Sequence, residues 1–199
     1  MSKNNEPFIL ASSSPRRSEL LKEAGYEFEV LPSGIDENAY PADGLSVFEY
    51  ASILAKAKAF AVALKHPGRL VLGADSIVRQ DDSIIGKPAD AKDADSIIRR
   101  LFASPHELVS AVAFICIDTG TELIDTDVTT VYPKKISEDN IVDYVKSGDW
   151  KGKAGAYGIQ DPQSDKFIER IEGSFTNVMG LPMEKTSRYL DRLLRLRTQ

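Results

Sequence analysis

The sequence predicts an α/β protein with a mixed, twisted sheet flanked by helices. Three observations carry this. The run Leu70-Val71-Leu72-Gly73-Ala74 is continuous and apolar, the pattern of a strand buried on both faces. Strand-like runs alternate with capped helical stretches along the chain, the order expected of helices laid over a sheet. Residues 107–118 and 122–132 are two long strand-like runs around Thr119-Gly120-Thr121, and a hairpin there makes the sheet mixed rather than all parallel.

The elements follow in order. Residues 8–11 read as a short buried strand. A helix covers 15–24, with Ser14 as its N-cap, Pro15 at the first helical position and Gly25 as its stop. Tyr26, Phe28 and Val30 alternate with glutamates, the period of a half-exposed strand. A loop carries Asp36 and Glu37. Ser46-Val47-Phe48-Glu49 is a capping box, and an Ala-rich helix runs from it to about residue 65, where His66-Pro67-Gly68 ends it. The apolar strand 70–74 then ends at Asp75. Residues 77–79 and 83–85 flank Gln80-Asp81-Asp82 as a hairpin, and 90–102 reads as a helix. Beyond the long hairpin, Ser137 caps a helix that Gly148 stops. Residues 166–171 read as a strand and 173–182 as a small polar loop. A helix over 183–197 ends the chain, with leucines on one face and arginines on the other.

Composition excludes several function classes. With 199 residues the chain is long enough for one domain or two small lobes and can bury a substantial core. Net charge is −5, which argues against a nucleic-acid partner, since sequence-independent binding needs a broad basic surface. A small anionic ligand is compatible with it, because a local cationic site can exist in an acidic protein. Cys116 is the single cysteine and lies in an apolar run, so it reads as a buried thiol and no intramolecular disulfide forms. The start, Met1 to Pro7, is polar without a secretory apolar core. No apolar run approaches the roughly 20 residues of a membrane span, and the expected location is cytoplasmic with no membrane partner.

Several stretches supply the residue types of a phosphate-handling site. Leu10-Ala11-Ser12-Ser13-Ser14-Pro15-Arg16-Arg17 joins a strand to a helix start through three hydroxyls and two guanidinium groups. A helix N-terminus presents unpaired N–H groups and a positive dipole end, which suit an anion. It is not a Walker loop, because the Gly-x4-Gly-Lys-Ser/Thr pattern is missing. Asp75 follows a small Gly-Ala step at the end of a buried strand, where a carboxylate can bind a cation, act as a general base or cap a turn. Gly86-Lys87-Pro88 holds a lysine between a permissive and a stiff residue. Lys56 and Lys58 are two apart on a helix and so face different sides. Lys153-Ala154-Gly155-Ala156-Tyr157-Gly158-Ile159-Gln160 is small and nearly uncharged, with a ring for packing and an amide that can read a base edge. His66 and His106 form neither a triad nor a zinc pattern.

Leu10-Ala11-Ser12-Ser13-Ser14-Pro15-Arg16-Arg17, Leu72-Gly73-Ala74-Asp75, Gly86-Lys87-Pro88, Lys153-Ala154-Gly155-Ala156-Tyr157-Gly158-Ile159-Gln160 and Gly180-Leu181-Pro182, in this order and spacing, resemble the Maf family of nucleotide pyrophosphatases, relatives of the inosine triphosphate pyrophosphatase fold. The resemblance spans nearly the whole chain from Phe8. It implies two lobes around a central cleft and hydrolysis of nucleoside triphosphates to the monophosphate and pyrophosphate, with a divalent cation, Mg²⁺ or Mn²⁺. It places the proton acceptor on Asp75, phosphate contacts on Ser12, Arg17, Lys58 and Lys87, and metal contacts on Glu37 and Asp75. Arg16, Ser76 and Gln160 would read the base. Arg16 and Gln160 match the branch acting on dTTP and UTP; the branch acting on 7-methyl-GTP typically has tryptophan and glutamate there. A homodimer is the expected assembly.

The chain departs from the usual pattern at several places. Ser76 replaces a threonine, Asp161 a glycine, Phe102-Ala103 a Ser-Gly pair and Ser110 a threonine. These bear on substrate preference more than on reaction class. Two other functions are compatible with the same residues: a metal-dependent phosphomonoesterase, and a nucleotide-binding regulator of cell division and septum formation with little turnover.

Overall fold

A computed structural model describes residues 6–161 and 164–198; Met1 to Asn5, read above as polar, lie outside them. The seven strands are β1 (Phe8–Leu10), β2 (Phe28–Val30), β3 (Val71–Gln80), β4 (Ser83–Ile85), β5 (His106–Cys116), β6 (Thr121–Pro133) and β7 (Ile168–Glu172). They form one mixed sheet in the order β2-β1-β3-β5-β6-β7, with β4 paired to β3. The helices are α1 (Pro15–Glu23), α2 (Val47–Ala63), α3 (Ala91–Leu101), α4 (Glu138–Ser147), α5 (Ser164–Phe167), α6 (Phe175–Val178) and α7 (Met183–Thr198). The described chain divides into two compact units. The first holds residues up to 75, 110–127 and those from 180 onward; the second holds 76–109 and 128–179. No described helix is long and apolar enough to cross a membrane.

In the first unit, β1 pairs in parallel with both β2 and β3, Ile9 opposite Val71 and Leu10 opposite Leu72. All three residues of β1 are buried. The capping box of α2 is complete: Glu49 N–H donates to Ser46 Oγ at 3.3 Å and Ser46 N–H to Glu49 Oε2 at 2.8 Å. Cys116 is buried, and its thiol donates to the Pro67 carbonyl. The decisive packing contact is at Gly73. A Cβ there would stand 2.4 Å from the Ala55 carbonyl oxygen and 2.7 Å from the Ala59 nitrogen. Only glycine lets α2 lie this close to β3, and Ala55 and Ala59 on the facing helix are fully buried.

In the second unit, β3 turns back into β4 with Val78 opposite Ile85, the hairpin read from the sequence. Asp81 in its turn has a positive φ of 54°. Asp90 and Ser137 cap α3 and α4 through their side chains, and Gly148 ends α4 in the left-handed conformation. His106, Tyr157, Phe102 and Phe167 form an aromatic cluster. His106 Nε2 lies 2.6 Å from the Tyr157 hydroxyl and Nδ1 3.1 Å from the Leu101 carbonyl oxygen. The neutral ring satisfies both, donating from Nδ1 and accepting at Nε2. Burial lowers its pKa from 6.5 to about 4.

Four expectations change. The strand carrying Asp75 does not end there but continues to Gln80, because Ile77 and Val78 supply further buried side chains. Ser14 has N-cap backbone geometry but makes no side-chain cap bond; its N–H donates to Ser12 Oγ instead. Residues 166–167 belong to the helical turn α5 rather than to the strand. The polar loop 173–182 contains α6, capped by Ser174.

Two outcomes follow from this packing. Gly73→Ala forces a Cβ against backbone, where no side chain can yield, and should cost about 3 kcal/mol. Thermal unfolding should fall by roughly 6–12 °C; an unchanged midpoint would show that α2 can move away freely. For His106, the unfolded ring takes up a proton near pH 6.5 and the folded ring only near 4. Between these values the unfolded state binds more protons, so stability falls with falling pH, by up to about 3 kcal/mol from this ring. Urea unfolding between pH 7 and 4 should show a shallower loss in His106→Gln than in wild type, and equal slopes would contradict the assignment.

Candidate active site

Asp75 follows two residues after Gly73 on β3, and alternate residues of a strand share a face. Both therefore look toward α2. Lys58 lies between Ala55 and Ala59 in sequence on that helix, and its Nζ meets Asp75 Oδ1 at 2.5 Å. The same ammonium meets Glu37 Oε1 at 2.7 Å. Glu37 opens a 3₁₀ turn over Glu37–Ala39 that Asp36 caps by accepting from Asn38 N–H. Side-chain exposure is 13% for Lys58 and 10% for Asp75, against 45% for Glu37. The result is a largely covered ion pair with a second carboxylate reaching it from the surface. Lys56, two residues earlier, points elsewhere and pairs with Glu122, as the helical spacing predicts.

Beside this cluster, β3 continues past the point where β1 stops at Leu10. The Ala74 carbonyl, beyond the last β1 pairing, accepts from Arg17 Nη1 at 2.8 Å. Arg17 Nη1 also donates to Ser12 Oγ at 3.2 Å, and Nε donates to the Gly180 carbonyl at 2.8 Å. Burial lowers the Arg17 pKa; Asp75 opposes this, Arg16 adds to it and Glu37 opposes it. Ser12 is buried and serves both Arg17 and the Ser14 N–H. Of the three serines, Ser12 is thus the anchored one. Arg16 is half-buried on the first turn of α1.

Five sequence-predicted residues therefore converge in the first unit: Ser12, Arg17, Glu37, Lys58 and Asp75. Tyr50 belongs with them and was not singled out from the sequence. Burial raises its pKa first, and the charges of Asp75 and Glu37 raise it further while Lys58 opposes. Its signal was its place on α2, two turns before Lys58. Ser76 stands next to Asp75 in β3 and so projects from the opposite face of the strand.

In the second unit, two of the segments meet. Gly155 N–H donates to the Gly86 carbonyl at 3.0 Å, beside Lys87, whose side chain is exposed. Gly155 has φ 72°, and a Cβ on it would press on Val78 and Leu101. Tyr157, read as a ring for packing, is spent on His106 and Phe102 in the core. Gln160 is exposed in a turn that Asp161 ties down. The Asp161 carboxylate accepts from Gly158 N–H at 2.8 Å and Tyr144 O–H at 2.5 Å, and pairs with Lys153. The aspartate in place of the usual glycine thus fastens the turn that carries Gln160.

Fold and cluster together define an α/β protein with a carboxylate–ammonium–carboxylate centre between β3 and α2, and the chain belongs to the Maf-like protein family, whose pattern matches residues 7–193. Among its relatives, the dTTP/UTP pyrophosphatase of Citrifermentans bemidjiense is 42% identical over 90% of this chain and 91% of that protein. The dTTP/UTP pyrophosphatase of Koribacter versatilis is 42% identical over 92% and 93%, and that of Aquifex aeolicus 40% identical over 93% and 94%. A HAM1 protein from Coxiella burnetii has a structure with TM-score 0.48 and 18% identity, covering 93% of this chain and 98% of that one. That likeness is too remote to bear on function.

Proposed function

We propose that this protein is a nucleoside triphosphate pyrophosphatase that hydrolyses dTTP and UTP to the monophosphate and pyrophosphate. The observation that carries the reading is the Glu37–Lys58–Asp75 cluster beside the Arg17 junction, in a chain about 40% identical to relatives named for that activity. The cluster contains the acid and the cations that such a reaction needs.

Two carboxylate oxygens converge on a single positive charge, Lys58 Nζ. That donor set fits a hard divalent cation, which commonly takes one or two carboxylates and completes its shell with phosphate oxygens and water. Glu37 and Asp75 would hold Mg²⁺ or Mn²⁺. When bound, the ion supplies Lewis-acid polarisation of the phosphates.

The protein's own groups position and neutralise. Arg17 presents a fixed positive charge at the start of α1, anchored by Ser12, Lys58 adds a second, and Lys87 is assigned to the phosphates by its motif. Such charge placement is where phosphoryl-transfer enzymes gain most of their rate. Asp75 takes a proton from water as its oxygen attacks the α-phosphorus. A new P–O bond forms to the water oxygen, the bond from the α-phosphorus to the bridging oxygen breaks, and pyrophosphate leaves with the bonding pair. Arg16, Ser76 and Gln160 are assigned to the pyrimidine, by their motifs. The protein acts in the cytoplasm, and the assembly proposed is a homodimer.

Asp75→Asn should lower turnover of dTTP by about a hundredfold or more, with circular dichroism unchanged. Parental turnover would remove Asp75 from the chemistry. The released product, separated by anion exchange, should be pyrophosphate; orthophosphate as the first product would indicate a phosphomonoesterase. Gln160→Glu should lower kcat/KM for dTTP and UTP by about 1–3 kcal/mol of discrimination, and unchanged values across a panel of bases would reject its reading role.

A further inference from the structure

Lys58 serves two carboxylates at once, and its position is the one that a cation bound by both would need. Its Nζ stands 2.7 Å from Glu37 Oε1 and 2.5 Å from Asp75 Oδ1. Magnesium–oxygen bonds are about 2.0–2.1 Å long, so an ion held by both oxygens leaves no room for an ammonium between them. Two positive centres in so covered a place also repel strongly. Lysine and cation therefore exclude each other between these oxygens.

Lys58 is able to leave. Its ammonium rides on a flexible four-carbon stem, whereas Arg17 is held by Ala74, Ser12 and Gly180. Once away from the carboxylates it needs another anion, because a covered, unpaired ammonium is costly. A triphosphate is such an anion.

We infer that Lys58 is an exchangeable counter-ion that couples cation binding to nucleotide binding. It neutralises Glu37 and Asp75 until a triphosphate draws it off, and so holds cation affinity low until the substrate is bound. The inference rests on the pyrophosphatase reading of this same site. Linkage makes the effect reciprocal: the cation, by displacing Lys58, frees it for the phosphates and raises nucleotide affinity by the same factor.

The test is Mn²⁺ binding to the full chain without nucleotide, followed by electron paramagnetic resonance. Lys58→Gln should bind Mn²⁺ about five- to a hundredfold more tightly than wild type. The double variant Lys58→Gln/Asp75→Asn should lose that gain. Equal or weaker binding by Lys58→Gln, with a further loss in the double variant, overturns the coupling and leaves the carboxylate site standing. Retained tight binding in the double variant puts the cation elsewhere and overturns both.

Removing the lysine leaves two carboxylates unbalanced, so a second measurement uses the wild-type chain. Lys58 is acylated with an amine-reactive ester and quantified by peptide mass spectrometry, with Lys56 as internal reference. Saturating Mg²⁺ should raise the Lys58 rate several-fold over that of Lys56. An unchanged ratio at saturation overturns the proposal.

Discussion

The close approach of α2 to β3 at Gly73 is the constraint on which the site depends. Side chains on two packed elements reach one another only as far as the backbones allow. Here a glycine on the strand and two buried alanines on the helix bring the backbones almost into contact. Lys58, flanked by those alanines, then meets Asp75, two residues beyond the glycine. The Ala-rich composition of α2 is thus a packing requirement as well as a helix-forming one. The pair it creates is covered, so removing Lys58 leaves two carboxylates uncompensated, a loss on the order of 3–5 kcal/mol for a fully buried group and less here, where Glu37 is exposed.

A second constraint comes from unequal strand lengths. β1 stops at Leu10 while β3 runs on to Gln80. The mismatch leaves the Ala74 carbonyl beyond the last β1 partner, and Arg17 takes it. One guanidinium therefore fastens the start of α1 to the strand bearing Asp75. Ser12 completes the junction from within the loop. Cations and carboxylates are brought side by side by backbone geometry and not by mutual attraction alone.

Much of this was legible in the sequence, for physical reasons that can be named. Caps were plain where a side chain bonds its own helix, as with Ser46 and Ser137. Ser14 has the position and backbone of another cap but makes no side-chain cap bond, and its own N–H is held by Ser12 Oγ. The one-turn helix α6 was missed, since four residues carry no periodicity. Asp75 was read as a strand end because a buried carboxylate interrupts an apolar run; only its partner on another element makes it tolerable inside a strand. The Glu37–Lys58 contact joins segments far apart in the chain and has no local signature. Tyr157 was a ring awaiting a partner, and the partners were His106 and Phe102, which nothing near it in sequence announces.

Under the proposed function, the acid in the covered ion cluster directs water at the α-phosphorus of a pyrimidine nucleoside triphosphate. Hydrolysis of dTTP in ¹⁸O-water, with both products analysed by mass spectrometry, tests it most directly. A single ¹⁸O in the nucleoside monophosphate, with unlabelled pyrophosphate, is the predicted result. Label in the pyrophosphate, or in orthophosphate released alongside a diphosphate, would place the attack on another phosphorus and contradict it.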